Sequence, residues 1–238
     1  MKITKLLKLF WPEVCPFCGK VSAQGICGEC RKKTDRLKVR EPKCMKCGKP
    51  VKDAEQEYCR DCLDARHEYD RGAALWVHKP PVNTSVYQFK FHNRRSFGSF
   101  YAKEMAAEYG EALAGWGIDI IIPVPLYPGK YKKRGYNQAA VLARELGKVL
   151  DIPVEERLIK RIRETAPQKN LTPRKRRQNL NGAFSVEKRR RVFLKSRSVL
   201  LTDDIYTTGS TVDEAAKTLK KAGAEKVFYL AISIGQGN

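Results

Sequence analysis

The stretch VLLTDDIYTTGST, residues 199–211, runs from an aliphatic segment straight into two carboxylates and then into a turn of hydroxyls around one glycine. Residues 199–201 show no polar alternation, which is the pattern of a strand buried on both faces. Residues 212–222 (VDEAAKTLKKA) follow with helical spacing and stop at Gly223, and 226–234 (KVFYLAISI) is another apolar run. Strand, helix and strand joined this closely imply a right-handed parallel crossover. The fold class is therefore α/β, a parallel sheet flanked by helices.

Working outward, 118–124 (IDIIIPV) lies between Gly117 and Pro125 and reads as a second buried strand, and 71–79 (RGAALWVHK) as another. Helices are expected over 83–91, capped by Asn83 or Thr84, over 96–113, and over 136–149 with an end near Gly147. Residues 157–197 are different. They hold fifteen Lys or Arg against Glu164 and Glu187, with Pro167, Pro173 and Gly182 and no clean period. Much of that segment is expected to be loop.

All eight cysteines fall within residues 15–62 as Cys15-x2-Cys18, Cys27-x2-Cys30, Cys44-x2-Cys47 and Cys59-x2-Cys62. Each pair sets two thiolates within reach of one tetrahedral ion, and Gly19, Gly28 and Gly48 suit knuckle turns. Two structural zinc ions are expected. Consecutive pairing closes the shorter loops, and a crossed arrangement stays open. Four thiolates leave no position for water, so these sites hold structure rather than perform chemistry. The composition divides into residues 1–66, a double zinc ribbon with a short amphipathic N-terminal helix, and 67–238, the α/β domain.

The formal charge is +21 and stays strongly basic with eight ionised thiolates and two zinc ions. Such an excess speaks of partners rather than fold. The 42% hydrophobic content excludes global disorder. No run reaches the length of about 18 apolar residues that crosses a bilayer. Lys2, Lys5 and Lys8 interrupt the apolar N-terminus, and no small-residue cleavage site follows it. A cytoplasmic location is expected, which favours metal over disulfides for the cysteines.

In open parallel sheets ligands sit beyond the carboxyl ends of the strands, and the following turn presents backbone N–H groups at a helix N-terminus. Thr207, Thr208, Gly209, Ser210 and Thr211 form such a turn, suited to a phosphate. Asp203 and Asp204 just before it accept hydrogen bonds from vicinal hydroxyls. A sugar phosphate satisfies both demands, whereas the plainer alternative is an acidic cap on the next helix. A second strand-end loop opens at Pro125 and Leu126 and offers Lys130, Lys132, Lys133 and Arg134 to a further phosphate. His78 and His92 read as structural residues.

Together these features resemble a known family. VLLTDDIYTTGST looks like the phosphoribosyl-pyrophosphate (PRPP) signature of type I phosphoribosyltransferases. PVPLYP, RGYNQA, R-x-T-A-P-Q at 163–168 and R-x-x-N-x-x-GAF at 176–184, with the paired cysteines, resemble the ComF/ComFC competence proteins. The resemblance implies that Asp203 and Asp204, the catalytic acids, hold the ribose hydroxyls directly or through Mg²⁺. Residues 207–211 would hold the 5′-phosphate, and Pro125, Leu126, Lys132 and Arg134 would face the pyrophosphate. Thr207 stands where 6-oxopurine salvage enzymes carry an acid, which disfavours hypoxanthine and guanine as acceptors. With every cysteine assigned to metal, no nucleophile is left for ammonia release. The resemblance also implies a role in DNA uptake alongside DNA-uptake or recombination proteins. The thirteen net charges of 157–197 exceed what PRPP needs, which points to single-stranded DNA at Arg174, Lys175, Arg176 and Arg177. A metabolic phosphoribosyltransferase with no nucleic-acid role is the competing reading.

Overall fold

A computed structural model describes residues 13–165 and 172–235. The expected N-terminal helix and part of the R-x-T-A-P-Q motif therefore lie outside the described residues. In chain order the elements are α1 (Gly28–Asp35), α2 (Arg60–Leu63), β1 (Arg71–Val77), α3 (Val82–Phe91), α4 (Phe97–Gly115), β2 (Ile120–Pro123), α5 (Pro128–Arg134), α6 (Gln138–Leu150), β3 (Ile159–Arg161), α7 (Pro173–Leu180), β4 (Phe184–Val186), a 3₁₀ helix (Lys188–Leu194), β5 (Ser198–Tyr206), α8 (Ser210–Lys221) and β6 (Lys226–Ile234).

The central sheet has the order β1-β6-β5-β2, and every neighbouring pair is parallel. Its strands are aliphatic on both sides because helices cover both faces; β6 is buried at every residue after Lys226. β5, α8 and β6 form the expected crossover. α6 begins where the Asn137 side chain accepts the N–H of Ala139 at 3.1 Å, and it runs on to Leu150. Gly147 thus does not end this helix. A Cβ there would stand 2.5 Å from Val154 Cγ2 and 2.7 Å from the Ile152 carbonyl oxygen, so glycine lets the returning chain pass close. α3 starts at Val82 after Pro81 and has no side-chain cap, which removes the expected role of Asn83 or Thr84.

The strongly basic segment is more ordered than its composition suggests. β3 and β4 pair antiparallel, Ile159 opposite Val186, and α7 lies between them with Pro173 in its first turn and Thr172 as N-cap. Few apolar residues anchor this hood: Leu158, Ile159, Leu180, Phe184, Val186 and Leu194 are buried, while Lys160, Lys175, Arg177, Lys188, Arg189 and Arg191 are exposed. An apolar period is hard to see when so few positions carry it.

The cysteine-rich part lies directly on the sheet. Val39 donates to the Leu75 carbonyl at 2.9 Å, Val77 to Leu37 at 2.8 Å and Gly72 to Lys46 at 2.9 Å. These bonds satisfy the outer edge of β1, which would otherwise be an open template for another strand. Arg31 grips Glu104 of α4 through two bonds of 2.5 and 2.8 Å. Among the described residues, no helix is long and apolar enough to cross a membrane.

Candidate functional site

A cleft of about 920 Å³ opens beyond the carboxyl ends of the strands. Asp203 and Asp204, near the end of β5, lie at its floor, Thr207 and Thr211 line the turn that follows, and Pro125 and Leu126 form the facing loop. Thr208, Gly209 and Ser210 complete the turn behind them. Thr208 Oγ1 and Ser210 Oγ lie 3.1 Å apart, and Gly209 takes φ +77° as the N-cap of α8. The left-handed conformation aims the first N–H groups of α8 along the turn, which is how such turns receive an anion.

Asp204 is almost wholly buried. Lys90 Nζ donates to its Oδ2 at 2.7 Å and Gln138 Nε2 to its Oδ1 at 3.1 Å. Burial alone would raise this carboxyl, but the Lys90 ammonium and these hydrogen bonds outweigh it and hold the group at about 2. Asp203 is half-buried and accepts the Asp204 N–H at 2.8 Å. Burial and then the charge of Asp204 push it above the ordinary carboxyl range. One acid of the pair is thus neutralised internally, and the other needs hydroxyl donors or a cation to ionise comfortably.

The walls are cationic. The loop after Pro125, expected to be irregular, is the helix α5: Pro128 starts it and Gly135, at φ +80°, ends it. Helical spacing turns Lys130, Lys133 and Arg134 into the cleft. Lys132 is exposed and does not line it, a correction to its expected place. Arg161 reaches in from β3 and Arg176 from α7, where Arg176 Nη1 donates to Thr207 Oγ1 at 3.2 Å. Lys130, Arg134 and Arg161 are all held below their ordinary values, first by burial, with Arg161 and Arg134 adding repulsion at Lys130. Arg161 Nε is buried without a partner among the described residues. Cations crowded together at a loss in their own charge are suited to a polyanionic ligand.

Of the four residues read as a nucleic-acid contact, Arg174 shares α7 with the others, Arg176 joins the cleft, and Lys175 and Arg177 are exposed. The sequence reading did not single out Lys90, Gln138 or Arg161, and it took His78 for structure alone. His78 lines the cleft while its Nδ1 sits 2.8 Å from Ser233 Oγ. Nothing local marks Lys90: it lies in the helical run SVYQFKF, and only the packing of α3 against the sheet brings it to Asp204.

The cysteines gather into two groups, Cys15, Cys18, Cys27 and Cys30, and Cys44, Cys47, Cys59 and Cys62, with the Sγ atoms of each within 4.8 Å of one another. Consecutive pairing is therefore the arrangement present. Tetrahedral zinc with bonds of about 2.3 Å needs sulfurs about 3.8 Å apart. Cys18 and Cys27 stand at 3.7 Å and Cys47 and Cys59 at 3.5 Å, so the donors and spacing fit structural zinc.

Comparison with known proteins agrees with this construction. A double zinc ribbon domain matches residues 6–63 and a phosphoribosyl transferase domain matches residues 101–236. Competence protein F of Haemophilus influenzae is 33% identical over 87% of this chain and 89% of its own. The DNA utilization protein YhgH of Escherichia coli is 31% identical over 91% and 94%. Competence protein ComFC of Streptococcus pneumoniae is 28% identical over 85% and 84%. With a parallel sheet, a strand-end cleft and two tetracysteine clusters already in place, these matches mean that the chain belongs to the ComF/ComFC family, in which a double zinc ribbon precedes a phosphoribosyl transferase domain.

Proposed function

We propose that this protein binds PRPP in the strand-end cleft and transfers its phosphoribosyl group, in the service of DNA uptake. The observation that carries the reading is the pairing of two acids with a hydroxyl turn inside a ring of cations, most of them half-buried. The turn 207–211 suits the 5′-phosphate, Asp203 and Asp204 suit the ribose hydroxyls, and Lys130, Lys133, Arg134 and Arg161 suit the diphosphate. Loss of pyrophosphate from C1′ through an oxocarbenium-like state asks the protein to position, neutralise and exclude water. Mg²⁺ would supply charge neutralisation at the diphosphate, with Asp203, which forms no lysine ion pair among the described residues, to help hold it. The boundary near residue 66, zinc in both clusters and a cytoplasmic location complete the proposal.

Calorimetric titration of PRPP with and without Mg²⁺ tests it. Losing a charged hydrogen bond costs roughly 1.5–3 kcal/mol. Asp203→Ala with Asp204→Ala should therefore weaken PRPP at least about a hundredfold. Unchanged affinity in a folded double variant defeats the assignment.

A contact with single-stranded DNA has its own support. The relatives carry the names competence protein and DNA utilization protein. Lys175 and Arg177 are exposed, and the 3₁₀ helix presents Lys188, Arg189 and Arg191 beside Phe193, 48% exposed. An aromatic among cations suits a strand with free bases. Each neutralised phosphate releases about 0.7 counterion, so affinity should fall steeply with salt. Charge reversal at Lys175, Arg177, Arg189 and Arg191 should flatten that slope by several units. No binding at low salt would leave the enzyme reading alone.

A further inference from the structure

The two tetracysteine clusters differ in what they touch. The first packs on one face of the sheet, where Phe17 meets Trp76 and Phe100 edge-on at 5.8 Å each. The second packs on the other face, in one apolar cluster with Tyr206 and Tyr229. The Cys47 carbonyl accepts the Tyr229 hydroxyl at 2.6 Å. Tyr229 lies parallel to Tyr206, with ring centroids 4.6 Å apart and planes at 3°. Tyr206 in turn supports Gly209: a Cβ on that glycine would stand 2.5 Å from the Tyr206 hydroxyl.

A second route reaches the same turn. The Tyr206 hydroxyl bonds to that of Tyr69 at 2.8 Å, and Tyr69 stacks on His67 at 4.9 Å. His67 Nδ1 lies 2.6 Å from Asp213 Oδ2, and the Asp213 N–H donates to the Gly209 carbonyl at 2.7 Å. The cluster is therefore linked, by two branches that pass through Tyr206, to Gly209 at the centre of the turn, through close-packed groups that have little room to yield independently.

We propose that the second tetracysteine site positions the phosphate-binding turn, so that metal held by Cys44, Cys47, Cys59 and Cys62 is energetically coupled, through Tyr229 and Tyr206, to the ligand in the cleft. Metal on the first cluster is not coupled in this way. The inference rests on the PRPP reading of the cleft. Tyr206 and Tyr229 act as positioning residues, since neither reaches the ligand. Thermodynamic reciprocity supplies the test: if this metal favours the PRPP-binding turn, PRPP must favour retention of this metal.

The experiment measures zinc affinity at equilibrium, by competition between the full chain and a colorimetric chelator of known affinity, with and without saturating PRPP and Mg²⁺, after calorimetry has measured PRPP binding. One zinc ion should keep an unchanged affinity, and the other should be held about fivefold more tightly with PRPP. Tyr229→Phe keeps the stacked ring and removes the bond to Cys47; it should keep both zinc ions and lose most of that protection. Cys62→Ser should weaken PRPP about fivefold more than Cys18→Ser. Normal PRPP binding with both ions responding alike, or protection undiminished in Tyr229→Phe, overturns this inference alone. Failure of the native protein to bind PRPP overturns the reading of the cleft, and this inference with it.

Discussion

Replacing Lys90 by methionine preserves the stem and removes the charge beside a carboxylate whose side chain is only 4% exposed. Asp204 is held at about 2 against its ordinary 3.8. That difference favours the ionised form by roughly 2 kcal/mol. In the native protein this contribution is complete above the unfolded value and lost as pH falls through the folded one. Without Lys90, burial prevails and the carboxyl rises instead, so the sign reverses: the variant is destabilised at neutral pH and recovers as acid protonates Asp204. Removing one partner of a buried pair costs roughly 3–5 kcal/mol. Lys90 is 24% exposed and Gln138 remains, so a loss of about 2–3 kcal/mol is expected at neutral pH, shrinking near about pH 5. Urea midpoints at the two pH values, with zinc present throughout, measure it. Adding Asp204→Asn to Lys90→Met should restore much of the stability, because no buried charge is then left unpaired. A loss below about 0.5 kcal/mol at neutral pH, or a double variant no more stable than the single, refutes the reasoning.

Three further expectations follow from particular contacts. Gly209→Ala places a Cβ against the Tyr206 hydroxyl at φ +77°, so it should lower stability by about 1–3 kcal/mol and weaken PRPP; an unaltered titration would show that the turn is not where phosphate sits. Freshly purified protein should contain two zinc ions per chain by elemental analysis, and iron, or less than one zinc, would count against the ribbon. Burial holds His78 below its ordinary 6.5. The unfolded chain therefore takes up that proton first, and stability should fall as pH drops through about 6.5. His78→Asn should flatten this limb of the stability curve, and equal slopes in variant and native protein would contradict it.

The sequence carried the α/β class, the crossover around β5 and the two acids with their turn, because those features are local. A strand buried on both faces has to be aliphatic throughout, and a phosphate turn has to use small hydroxyl residues next to a glycine. The cysteine pairs were equally legible, since metal chemistry fixes ligand type and spacing within a few residues. α5 and α7 were hidden by composition: helices made mostly of cations show no apolar stripe, which left Pro128, Gly135, Thr172 and Pro173 at their ends as signals.

Sequence alone therefore determined that two acids and a hydroxyl turn stand together and which strand end bears them. Only the tertiary structure decided that Lys90 neutralises Asp204, that Arg161 and Arg176 close the wall, that Lys132 faces away, and that Tyr229 ties Cys47 to the turn. Each of those relations joins residues far apart in the chain: Lys90 and Asp204 by 114 positions, Cys47 and Tyr229 by 182. Spacing along a helix or strand says which side chains share a face, but not what the opposing element brings to it. Charge pairing and burial across elements are consequences of packing, and they come into being only when the sheet is assembled.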